Sequence, residues 1–71
     1  MSETDWASIL ALAANNMNVS QTAVALYMHR NTLVYHIQKV KRKTGLDPLN
    51  FYDLVELVRM AKCRRAEDGK E

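Results

Sequence analysis

Only two residues, Tyr27 and Met28, separate the second helical pattern of this chain from the third, and both are apolar. The stretch before them opens at Ser20, a good N-cap, carries Ala23, Val24 and Leu26, and ends near Tyr27. The stretch after them begins around His29 to Asn31 and runs to Lys43 or Thr44. Gly45 stops it, after a last turn whose Lys41, Arg42 and Lys43 suit the helix dipole. So short a link forces the two helices to cross steeply, and the small Ala23 lets them approach. Leu33, Ile37 and Val40 fall within about 60° of one another on a helical wheel, a narrow core stripe. With Leu26 and Met28 also turned inward, this is the pattern of a helix-turn-helix.

Two further helices flank this pair. The first starts near Thr4 or Asp5, either of which can cap it, and sets Trp6, Ile9, Leu10 and Ala13 on one apolar face. Asn15, Asn16 and Asn18 end it, because asparagine tolerates turn conformations. The last follows Asp47-Pro48, with either Asp47 as cap and Pro48 in the first turn, or Asn50 as cap and Asp53 completing a capping box. Its expected apolar face is Phe51, Leu54, Val55 and Val58, with Leu57 and Ala61 beside it. These readings give one domain over residues 1–71, with helices at about 5–15 and 48–64, the helix-turn-helix at about 19–44, and a frayed tail at 65–71.

A chain of 71 residues, 48% of them hydrophobic, is globular and must place nearly all its apolar side chains in one core. That leaves little room for a buried catalytic pocket, and an enzyme is not expected. No Ser/His/Asp or Cys/His arrangement, glycine-rich phosphate loop or paired catalytic carboxylate is present. His29 and His36 lie ~10 Å apart along one helix and cannot share a metal, and Cys63 is the sole cysteine, which excludes an internal disulfide or a cysteine zinc site. No cofactor or metal is implied. The longest unbroken apolar run, Ile9 to Ala14, is far short of a bilayer span, and the acidic MSETDW start is no signal peptide, so a cytoplasmic protein is expected.

The net charge is only +2, but its placement is uneven. Between Asp5 and Asp47 there is no acidic residue, whereas Arg30, Lys39, Lys41, Arg42 and Lys43 fall inside that stretch. A basic centre between acidic ends points to a negatively charged partner. Around the third helix, opposite and beside the Leu33 stripe, lie Arg30, Asn31, Val34, Tyr35, Gln38, Lys41 and Arg42. Arginine can pair with guanine, asparagine or glutamine with adenine, and valine can touch a thymine methyl. Lysine and arginine farther along suit phosphates. Trp6, Phe51 and the methionines, at helical spacing, read as core. His36, beside the core stripe, reads as a structural histidine, and Tyr35 as either a groove contact or a half-buried structural tyrosine.

The string from Asn15 to Pro48 closely resembles the C-terminal helix-turn-helix domain of PucR-type transcriptional regulators. The matching features are Asn18-Val19-Ser20, Thr22-Ala23, Leu26, His29-Arg30-Asn31-Thr32-Leu33, Tyr35 and Thr44-Gly45-Leu46-Asp47. The turn is also similar to the DNA-binding end of the bacterial factor for inversion stimulation. The resemblance implies an all-α, Fis-like bundle of about four helices that binds double-stranded DNA through the major groove. It further implies a bacterial regulator and an upstream sensory domain in a longer chain, of which this would be an excised or truncated piece; because one such module makes few contacts, a homodimer is expected when bound. The expected DNA contacts are Arg30, Asn31, Val34, Tyr35 and Gln38 on bases, with His29, Thr32, Lys39, Lys41, Arg42, Lys43, Ser20 and Gln21 on the backbone or capping the helix. Two other readings remain open: a DNA-bending nucleoid-type protein with little sequence preference, and a helical module for an acidic protein partner. One feature departs from the usual motif. The turn position often held by glycine is Tyr27, so either the turn takes another conformation or the ring packs over the core.

Overall fold

The computed structural model describes residues 1–68, with side chains described through Arg64. Four helices follow one another: α1 (Glu3–Ala14), α2 (Val19–Ala25), α3 (Arg30–Thr44) and α4 (Phe51–Asp68). There is no strand among the described residues. α1 is the hub and packs against all three others, while α2 and α3 also pack on each other. The core comprises Ile9, Leu12, Ala23, Leu33, Ile37, Val40, Leu54 and Leu57, with Met17, Val19, Leu26, Met28, Leu46 and Val58 half-buried around it. Full burial of each larger aliphatic side chain is worth about 1.5–3 kcal/mol, and in so small a domain few of them can be spared.

The caps decide where the helices begin. α1 is capped by Ser2, not by Thr4 or Asp5: Ser2 Oγ accepts from the Asp5 N–H at 3.2 Å, and Asp5 Oδ2 accepts from the Ser2 N–H at 2.9 Å. This reciprocal capping box places Asp5 inside the first turn. α2 is capped by Asn18, whose Oδ1 accepts from the Gln21 N–H at 2.9 Å, so Ser20 lies within the helix instead of heading it. α4 begins at Phe51 behind Asn50, whose Oδ1 accepts from the Asp53 N–H at 3.2 Å. Pro48 is buried in the loop ahead of it and not in its first turn. The Asp53 carboxylate takes the Asp47 N–H at 3.0 Å, which ties the loop down instead of closing a capping box with Asn50. α4 continues beyond Arg64 to Asp68, and the last three residues of the expected tail, 69–71, lie outside the described residues.

Both turns around α2 share one hydrogen-bond pattern. After α1, Asn16 and Met17 are left-handed (φ 57 and 64), with Asn16 N–H donating to Ala13 O and Met17 N–H to Leu12 O. After α2, Tyr27 does the same (φ 55), with Tyr27 N–H donating to Val24 O and Met28 N–H to Ala23 O. This bond pair is the Schellman ending, whose left-handed position usually holds glycine. Gly45 takes that role after α3 (φ 76). The turn before α3 is therefore left-handed at a tyrosine, and the ring does not cover the core: Tyr27 is 97% exposed.

Two apolar faces differ from expectation. The buried side of α1 is Asp5, Ser8, Ile9 and Leu12, with Leu10 and Ala13 half-buried. Trp6 is half-buried too, beneath the Arg64 guanidinium at 5.3 Å, while Arg64 also pairs with Glu3 at 2.7 Å. In α4 the buried stripe is Leu54, Leu57 and Ala61, and it leaves Phe51 and Val55 exposed, so Phe51 is not core. α4 has apolar residues on more than one stripe, and docking on α1 selects among them.

Candidate nucleic-acid interface

α3 carries the candidate interface, and its N-terminus is set by the turn at Tyr27. Its first residue follows His29, which makes no side-chain cap hydrogen bond, unlike Ser2 and Asn18 at α1 and α2. Leu33, Ile37 and Val40 are buried, as their spacing requires. Everything on the far side of the helix is thereby turned outward.

His29, Arg30, Asn31, Thr32, Gln38, Lys41, Arg42 and Lys43 are exposed, Tyr35 is largely so, and Val34 is half-buried. Arg30, Val34, Gln38, Lys41 and Arg42 line one groove together with Val19 of α2 and Asp47 and Leu49 of the following loop, so one acid borders it. A second groove runs across the turn, lined by Ser20, Val24, Tyr27, His29 and Arg30. Arg30 is common to both. Ser20 and Gln21 are exposed on the first turn of α2, though the Gln21 N–H is already taken by Asn18. Tyr35 stands edge-on to His36 with ring centroids 5.3 Å apart.

The opposite flank of α3 behaves differently. By helical period Thr32, His36, Lys39 and Lys43 fall within about 60° of one another, on a different flank from Arg30 and Lys41. His36 Nδ1 lies 2.8 Å from Asp5 Oδ1, and Lys39 Nζ lies 3.1 Å from Asp5 Oδ2. Asp5 is fully buried. Burial alone raises its pKa, but the Ser2 backbone N–H, His36, Lys39 and the Ser2 side chain outweigh it and hold the carboxyl well below the usual carboxylate range. His36 is thus a structural histidine, and Lys39, expected on the DNA backbone, pairs with Asp5 of α1 in this structure. Lys41 keeps only a long, exposed approach to Asp47, at 3.8 Å.

Asp5 as a buried anchor is the residue that sequence reasoning missed. Its one signal was negative: it is the last acid before a long acid-free stretch that contains His36 and Lys39 three residues apart.

Among the described residues no helix is long and apolar enough to cross a membrane. The family model of the PucR C-terminal helix-turn-helix domain matches residues 6–61. No curated protein and no solved structure matches the chain. On the strength of that match, which takes in all of α2 and α3 and most of α1 and α4, the chain belongs to the PucR C-terminal helix-turn-helix domain family.

Proposed function

We propose that this domain reads double-stranded DNA sequence-specifically as the DNA-binding module of a bacterial transcriptional regulator in the cytoplasm. The observation that carries the reading is the outward side of α3: Arg30, Asn31, Gln38, Lys41 and Arg42 are exposed on a helix that contains no carboxylate. α3 lies in the major groove, where Arg30, Asn31, Val34, Tyr35 and Gln38 meet base edges. Lys41 and Arg42 sit on phosphates beyond them, His29, Thr32 and Lys43 flank the groove, and Ser20 and Gln21 approach the backbone from α2. One module makes few contacts, so two copies bind together on a two-fold site with half-sites about one helical turn apart. In a longer chain an upstream sensory domain controls that pairing.

Selection of bound duplexes from a random pool tests the reading. The expected result is a two-fold-symmetric motif bound about 10³-fold or more tighter than random duplex. Arg30→Ala and Asn31→Ala then each cost roughly 1–3 kcal/mol on that motif and relax preference at one position of the half-site. Equal affinity for motif and random duplex points to a nucleoid-type protein. No binding even at ~50 mM salt, where phosphate attraction is strong, overturns DNA binding altogether and leaves an acidic protein partner.

A further inference from the structure

Tyr27 combines two features that folding does not explain. Its backbone is left-handed, a conformation that disfavours any side chain with a Cβ and that glycine adopts freely. Its ring is 97% exposed, so no packing offsets that strain. The turn after α1 holds two left-handed residues, Asn16, a residue type that tolerates that region, and Met17, whose side chain packs against the core in return. Here an aromatic stands where glycine would serve the turn better. Strain retained without a packing return marks a functional position.

The surroundings indicate the chemistry. Tyr27 lines the groove that crosses the turn, beside Ser20, His29 and Arg30. Each of these side chains carries a hydrogen-bond donor, and none of the groove's lining residues carries a carboxylate. Hydrogen-bond donors along one groove without an acidic neighbour suit an anion. The groove opens at Arg30, where it meets the groove along the outer side of α3. A strand passing the start of α3 therefore brings a phosphate to it.

We propose that Tyr27 is a backbone-clamping residue, its phenol donating to a phosphate of the DNA strand that flanks α3, next to His29 and Arg30. This rests on the DNA-reading function above and adds to it a contact made by the turn itself. The left-handed backbone fixes where the ring projects, so the clamp registers α3 along the groove before any base is read.

The experiment measures duplex affinity, its salt dependence and thermal stability for the native domain, Tyr27→Phe and Tyr27→Gly, on a selected or a random duplex. Removing the hydroxyl deletes a hydrogen bond to a charged acceptor, and Tyr27→Phe is expected to weaken binding by about three- to tenfold on every duplex alike. Tyr27→Gly weakens binding at least as much, yet melts no lower than the native domain, because glycine relieves the turn. Neither variant changes the slope of affinity against salt, since a neutral phenol displaces no counterion, whereas Lys41→Ala flattens it. Native affinity in both variants overturns the clamp while leaving DNA binding intact. A native domain that binds no duplex overturns the underlying reading instead, so the two failures are distinguishable.

Discussion

The two flanks of α3 carry similar side chains and use them in opposite ways. On one, His36 and Lys39 converge on the buried carboxylate of Asp5 and bolt the helix to α1. On the other, Arg30, Lys41 and Arg42 point outward, with no counter-charge among the described side chains nearer than the 3.8 Å approach of Asp47 to Lys41. A cation's place in the sequence does not say which task it has; the opposing helix decides. The bolted flank gives the open one a fixed tilt, and a reading helix needs that rigidity because base recognition depends on the register of its side chains.

The sharpest way to break this division is to loosen the stripe between the two flanks. Leu33→Ala leaves a cavity under the middle of α3 and is expected to cost roughly 2–5 kcal/mol, read as a shift in the midpoint of chemical unfolding. In a domain this small that approaches the whole stability. A loss below about 1 kcal/mol would show that α3 is held chiefly by its flank and not by its core stripe.

Next in size is the bolt itself. Asp5→Asn removes a buried charge that faces two partners, and is expected to cost about 2–3 kcal/mol, somewhat less than a fully buried pair because Lys39 and His36 keep 28% and 15% exposure. The same residue gives a pH signature. Its pKa is depressed in the folded state, so its contribution is present above the ordinary value of 3.8 and is lost as pH falls below it. Native protein should therefore lose stability progressively in acid below that value, and Asp5→Asn should show a flatter acid limb. Parallel acid limbs in the two proteins would mean that Asp5 is not the group being titrated.

Much of α3 was legible in advance because its signals are local. Gly45 marks its end, three lysine and arginine side chains fill its last turn, and Leu33, Ile37 and Val40 repeat at helical spacing, so the outward face follows by geometry. The start of α1 was misread because Asp5 looks like an exposed cap, while its burial depends on partners more than thirty positions away, His36 at a separation of 31. α4 was misread for the converse reason. Phe51, Leu54, Val55, Leu57 and Val58 offer several apolar stripes, and only the docking on α1 shows that Leu54 and Leu57 are the ones used. The identity of Tyr27 signalled an unusual turn, but its exposure, on which the clamp depends, belongs to the folded molecule.

The smallest expected effect is also the most direct comparison, because it pits two lysines of one helix against each other. Lys39 and Lys41 are two residues apart, equally charged, and both were candidates for the DNA backbone from the sequence. Lys41 is 61% exposed and Lys39 28%, with its ammonium on Asp5. Lys41→Ala should weaken binding to every duplex about equally and reduce the slope of log affinity against log salt by about one phosphate contact. Lys39→Ala should leave that slope unchanged and lower stability by about 1 kcal/mol or less, since the Lys39 ammonium is partly solvated and Asp5 keeps His36 and the Ser2 N–H. Titrations of the two variants at several salt concentrations, beside their unfolding curves, separate the tasks. A flattened slope for Lys39→Ala would mean that Lys39 leaves Asp5 when DNA arrives, and the division between a bolted and an open flank would hold only for the free protein.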